Sequence, residues 1–229
     1  MRFLSPPICC CNVNLDLTGV GDMAKIKICG LFREEDIEAV NEAGADYAGF
    51  VIGFEKSHRN LSVKEAAHLR SLLKKEIKAV GVFVDKPVSE VVNAAHETGL
   101  DVIQLHGSED NEYIRRVKER SGLTVWKAFK IRSAEDVKAA VESSADEILL
   151  DNGYGTGKAF DWSVVTDFGR SFILAGGLNE GNVALAIKTL HPAIVDISSG
   201  AETDRLKDRD KINACVKAVR NIRSGGEDE

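Results

Sequence analysis

Three side chains able to move a proton, the Cys29 thiol, the His106 imidazole and the Asp151 carboxyl, each stand at the end of a short apolar run. Asp151 is the plainest case. Ile148-Leu149-Leu150 carries it to the edge of a buried segment, and a glycine-rich stretch, Asn152-Gly153-Tyr154-Gly155-Thr156-Gly157-Lys158, opens at once behind it. An apolar strand that ends in an acid and gives way to a loop is how an α/β enzyme presents a proton donor. Taken alone, the same stretch also fits an Asp that only caps a following helix. Two further strand ends, Ala175-Gly176-Gly177-Leu178 and Ile197-Ser198-Ser199-Gly200, are small turns whose backbone N–H groups can approach an oxyanion closely. One such turn needs no ligand to explain it; the pair points to a phosphate site.

The elements that position these groups follow a single rhythm. Apolar strands are expected at Lys25–Gly30, Tyr47–Ile52, Ala79–Val84, Val102–His106, Thr124–Phe129, Glu147–Leu150, Phe172–Ala175 and Ala193–Ile197. Helical segments fall between them. They run around Arg33–Ala43, from Ser62 with Glu65 completing a capping box, from Pro87, around Asp110–Arg120, from Ser133, briefly over Asp161–Phe168, around Glu180–Leu190, and over Arg209–Ile222. Strands alternating with helices require a parallel sheet, and eight is the number at which such a sheet closes. A doubly wound open sheet would need polar edge strands, and none is evident. The fold class expected is therefore α/β, a single (βα)8 TIM barrel over residues 23–229. Barrel active sites lie at the C-terminal ends of the strands, where Cys29, Arg59, His106, Asp151 and both glycine turns all fall.

Residues 1–22 precede this pattern. Pro6-Pro7 opposes either regular structure, and the stretch lacks the basic and long apolar regions of a secretory signal. It is expected to be a disordered or loosely draped extension, with Met23 resembling a second start. Five cysteines, three of them adjacent at Cys9-Cys10-Cys11, have no Cys/His pair at zinc-ligand spacing to answer them, so free thiols in a reducing cytoplasm are expected and no metal site. A net charge of −6 supplies no footprint for nucleic acid, and no run of about eighteen apolar residues suggests a membrane span. An anionic substrate must then be caught by local donors.

Taken together, Lys27-Ile28-Cys29-Gly30, Gly49-Phe50-Val51 with Ser57-His58-Arg59, Val80–Val84, Gln104-Leu105-His106-Gly107, Leu149-Leu150-Asp151, Gly155–Trp162, Ala175–Asn179 and Val195–Gly200 resemble phosphoribosylanthranilate isomerase. The resemblance runs in order from about Lys25 to Gly200. It implies a single barrel that works without cofactor or metal on a small phosphorylated substrate in tryptophan biosynthesis, as a cytoplasmic monomer or homodimer. It also implies roles: Cys29 as general base, Asp151 as general acid, and Arg59 holding the anthranilate end. His106 would line the pocket, and the backbone around Gly176, Gly177, Ser198, Ser199 and Gly200 would grip the phosphate. His58 in the Ser-x-Arg turn, Tyr154 beside Gly153 and the extension depart from the family pattern.

The chemistry suits these residue types. An Amadori rearrangement needs an acid to open the furanose and a base to take the C2′ proton, each contributing about 10²–10⁴-fold. A thiol of ordinary pKa about 8.5 must be partly ionised to act as base. Lys27 is not expected to help, since strand neighbours two apart share a face but diverge along it. Competing readings are another phosphate-binding barrel and a non-catalytic one. A ribulose-phosphate epimerase would need metal-binding His and Asp at several strand ends, and the α subunit of tryptophan synthase would need paired carboxylates. A barrel that only binds would have no call for both Cys29 and Asp151.

Overall fold

Short runs of β-branched and aliphatic residues, too brief for helices and lacking polar alternation, form strands buried on both faces. In the computed structural model, which describes residues 24–151 and 168–222, these are β1 (Lys25–Cys29), β2 (Tyr47–Ile52), β4 (Lys78–Phe83), β5 (Val102–Leu105), β6 (Thr124–Lys130), β7 (Glu147–Asp151), β8 (Phe172–Ala175) and β9 (Ile194–Ile197). They pair in parallel in the order β1-β9-β8-β7-β6-β5-β4-β2, and β2 pairs back onto β1. The sheet is a closed eight-stranded barrel. A two-residue strand, β3 (Asn60–Leu61), adds to the end of β2, a feature the residue pattern did not predict.

Helices α1 (Glu34–Ala43), α2 (Val63–Leu72), α3 (Val88–Thr98), α4 (Asn111–Ser121), α5 (Ala134–Val141), α6 (Val183–Leu190) and α7 (Arg209–Asn221) surround the barrel. The Ser62–Glu65 capping box forms as expected, and Ser133 caps α5 in the same way through Asp136. Pro87 sits one residue earlier than expected, at the N-cap of α3. The helix expected over Asp161–Phe168 lies outside the described residues apart from Phe168, which is buried, and so does the extension at residues 1–22.

Alternation along the strands divides the core in two. Outward residues such as Ile26, Ile28, Phe50, Ile103, Leu105, Ile148, Leu150 and Val195 pack beneath the helices. Each such side chain contributes ~1.5–3 kcal/mol on burial. Inward residues Tyr47, Val80, Val102, Trp126, Leu149, Ile173 and Ile194 fill the barrel, with Trp126 edge-on to Tyr47 at 5.0 Å. Trp126 is thus packing, as expected, and Cys215 is a fully buried core residue of α7. The filling is not wholly apolar. Lys27, Gln104 and Asp196 are also buried, at 0%, 1% and 7% exposure, and they stand above the apolar plug where strands open to the C-terminal face.

The N-terminal face is tied by a repeated device. Asp46, Asp101 and Asp146, each just before a strand, accept hydrogen bonds from the backbone N–H of Ile26, Ala79 and Val125 at 2.8 Å. Each also meets a cation from a helix: Arg220 at 2.8 Å, Arg70 at 3.3 Å and Lys118 at 2.6 Å. This face holds the barrel shut and leaves the opposite one for chemistry.

Candidate active site

A cavity of about 320 Å³ opens at the C-terminal face. Its lining includes Cys29 from β1, Arg59 from the loop after β2, His106 after β5, Asp151 from β7, Gly176 and Gly177 after β8, and Ser198 and Ser199 after β9. Eight of the nine residues singled out from sequence therefore surround one space. Gly200 is the exception. It lies behind the lining, where the Leu178 carbonyl fills the room a side chain would take, so it shapes the turn without facing the cavity. Gly176 and Gly177 hold φ of 90° and 68°, values that strain any residue with a Cβ, which explains the double glycine at this strand end.

Arg59 is held from both ends. Its loop is pinned by the Asn60 side chain, which accepts from the Phe54 N–H at 2.6 Å, and by Ser57 Oγ, which accepts from the Arg59 N–H at 3.2 Å. Its guanidinium donates through Nε and Nη2 to the two oxygens of Glu202, both at 2.7 Å. Glu202 begins a small hairpin, β10 (Glu202–Thr203) with β11 (Leu206–Lys207), that brings Lys207 Nζ to Glu202 Oε1 at 2.7 Å and to the Ser198 carbonyl at 2.9 Å. Burial pushes the Glu202 carboxyl up, but the Arg59 and Lys207 hydrogen bonds outweigh it and hold the group at about 2. His58, the departure noted from the family pattern, sets its ring edge-on to Phe32 at 6.2 Å.

His106 is oriented from below. Gln104 Nε2 lies 3.1 Å from its Nδ1, within hydrogen-bond distance. Nε2 is 3.6 Å from Asp151 Oδ2. The acid on β7 thus has an imidazole beside it.

Around Cys29 the structure corrects the sequence reading. Lys27 was expected to diverge from the thiol, yet the two converge. Cys29 is in register with Gly49 of β2, and a Cβ at Gly49 would fall 2.9 Å from Cys29 Sγ and 3.0 Å from Lys27 Cε. The missing side chain leaves room for both neighbours to lean into the same space. Lys27 Nζ also donates to Asp196 Oδ2 at 2.8 Å, across the β1–β9 register. Burial pushes the Cys29 thiol above its ordinary value; Lys27 pulls it down, Asp196 pushes it up, and Lys207 pulls it down. Asp196, which lines the cavity, was passed over in the sequence. Its place two residues before Ser198 on an inward-facing alternation was the available signal.

The family model described as N-(5′phosphoribosyl)anthranilate (PRA) isomerase matches residues 26–218. The chain belongs to the PRA isomerase family. A curated PRA isomerase of Thermoanaerobacter sp. (strain X514) is 47% identical over 208 residues, covering 88% of this chain and 100% of that protein. Among solved structures, the PRA isomerase of Thermotoga maritima superposes with a TM-score of 0.79 at 36% identity, covering 87% of this chain and 100% of its own. Another, solved in complex with reduced 1-(o-carboxyphenylamino)-1-deoxyribulose 5-phosphate, gives 0.77 at 35% identity over the same shares. The family's barrel agrees with what the strand pattern implied, and its isomerase class with what the resemblance implied. Among the described residues, no helix is long and apolar enough to cross a membrane.

Proposed function

We propose that this chain isomerises N-(5′-phosphoribosyl)anthranilate to 1-(2-carboxyphenylamino)-1-deoxyribulose 5-phosphate in tryptophan biosynthesis, with Asp151 as general acid and Cys29 as general base. The observation that carries the assignment is the arrangement of one cavity: a carboxyl on β7 and a thiol on β1, separated by β9 and β8 on the near side, with both glycine turns on the wall between them. A substrate whose phosphate rests against 176–177 and 198–199 then lies with its sugar between acid and base.

In the first step Asp151 gives its proton to the ring oxygen, the C1′–O bond breaks, and the anthranilate nitrogen lone pair forms the Schiff base. The His106 ring, with Nε2 3.6 Å from Asp151 Oδ2, stands beside the carboxylate left behind. In the second step the sulfur of Cys29 takes the C2′ proton and the electrons of that C–H bond neutralise the iminium, giving an enolamine. Tautomerisation gives the ketone, so no atom is gained or lost. Arg59 presents its remaining N–H edge to the anthranilate carboxylate, because Glu202 occupies the Nε edge.

The deciding experiment is turnover of freshly prepared N-(5′-phosphoribosyl)anthranilate, followed by loss of its anthranilate-type fluorescence. Saturable turnover is expected. A purified, folded chain that binds the substrate but leaves its fluorescence to decay at the spontaneous rate would leave only the binding reading.

A further inference from the structure

A base made of a buried thiol has a difficulty that the assignment of Cys29 leaves open. Proton abstraction needs the thiolate, and a thiolate in a dry pocket is costly unless a cation stands beside it. The interior of this barrel holds such a cation. Lys27 is fully buried, with Nζ 2.8 Å from Asp196 Oδ2, and its Cε and the Cys29 sulfur both stand within 3.0 Å of the place a Cβ on Gly49 would take. Asp196 in turn has one oxygen on Lys27 and the other, Oδ1, buried with no partner among the described residues. A carboxylate with an unanswered oxygen binds its single cation harder than a fully hydrogen-bonded one would.

We infer that Lys27 is a positioning residue that sets the ionisation of Cys29, and that Asp196 competes with the thiolate for it. One ammonium faces two anionic partners on adjacent strands, so whatever satisfies Asp196 frees Lys27 for the sulfur. Among the described residues, Tyr47 of β2 is in register with Lys27, and Lys207 of β11 draws the thiol down from the β9 side. Burial draws Lys27 down, but Asp196 and Cys29 together leave it above its ordinary value, so the ammonium is charged throughout the working range.

The inference rests on Cys29 being the base, and its test is chosen to stand apart from turnover. Alkylation of Cys29 by iodoacetamide is measured against pH, with the modified peptide quantified by mass spectrometry so that the other thiols do not contribute. Two variants should move the midpoint in opposite directions. Lys27→Met should raise it by at least one pH unit, and Asp196→Asn should lower it and speed alkylation at neutral pH about tenfold. A purely structural role would shift both in the same direction through loosened packing. Should Lys27→Met fail to fold, with Asp196 left alone in the core, the doubly neutral Lys27→Met/Asp196→Asn protein replaces it. A midpoint above that of Asp196→Asn supports the role of Lys27. Shifts of the same sign, or a double variant that matches Asp196→Asn, would overturn it. If the base were another residue these alkylation shifts would still appear, while Cys29→Ser would keep its turnover, so the two failures are distinguishable.

Discussion

Glu202 grips Arg59 through two hydrogen bonds of 2.7 Å, one to Nε and one to Nη2, on the inner edge of the guanidinium. The planar fork is thereby fixed in rotation as well as in place. Lys207, only 1% exposed along its side chain, closes the other side of Glu202. Two cations against one carboxylate leave the cluster with a single net positive charge at the cavity wall, suited to an anionic ligand in a protein whose overall charge is −6.

Glu202→Gln should therefore raise KM for the phosphoribosylanthranilate roughly tenfold and leave kcat almost unchanged, the effect of ~1.5 kcal/mol from one charge-assisted hydrogen bond. Arg59→Ala should raise KM further. With a substrate analogue lacking the anthranilate carboxylate, the Glu202 variant should match the parent. Equal damage with both substrates would mean that Glu202 supports the loop and not the recognition of the carboxylate.

The same carboxylate contributes to acid stability. Its folded value of about 2 lies below the ordinary 4.5, so its stabilisation is fully present above pH 4.5 and is lost as pH falls toward 2. At about 1.4 kcal/mol per pKa unit, the drop from 4.5 to about 2 amounts to ~3 kcal/mol. Urea unfolding of the parent should steepen its dependence on pH across that window, and Glu202→Gln should flatten it. Parallel curves for the two proteins would contradict the assignment.

Cys29→Ser and Asp151→Asn should each lower kcat by about 10²–10⁴-fold with little change in Tm. An alcohol ionises far less readily than a thiol, and an amide has no acidic proton to give to the ring oxygen. Rates near the parent's for either variant would remove that residue from the mechanism.

Gly49→Ala tests the crowding at β1 directly. The new methyl would sit 2.9 Å from Cys29 Sγ and 3.0 Å from Lys27 Cε, both in the buried interior. Overpacking of this kind costs ~1–3 kcal/mol, and at this chain length each kcal/mol is about 2–4 °C in Tm. A fall in kcat of more than tenfold should accompany a Tm loss within that range. A large Tm loss with kcat retained would show that the sulfur has room to move.

The barrel was legible because its determinants are local. Strand after strand reads as an apolar run, each followed by helix caps such as Ser62 and Ser133. The strand-end groups were legible for the same reason, since chain order alone fixes which residues stand at C-terminal ends. What escaped was whatever depends on contacts between distant segments. Glu202 and Lys207 were not singled out, because only the fold carries them to Arg59, 143 residues before Glu202. Lys27 was misjudged because two-residue spacing says nothing about a vacancy on the next strand, and Gly49 supplies one. Asp196 hid within Ile194-Val195-Asp196-Ile197, where its neighbours made the stretch look merely apolar.

The ion pair between Lys27 and Asp196 joins groups 169 residues apart. During synthesis at roughly 5–20 residues per second, the lysine leaves the ribosome about ten to thirty seconds before its counter-ion exists. Half-barrels assembled in that interval can bury the aliphatic faces of β1 and β2, but they cannot bury the ammonium without leaving it alone. The first strand must stay wet, or open to solvent at its inner face, until the last one arrives. Closure and chemistry thus share a single commitment step: no nascent intermediate can finish its core without also assembling the surroundings of its thiol.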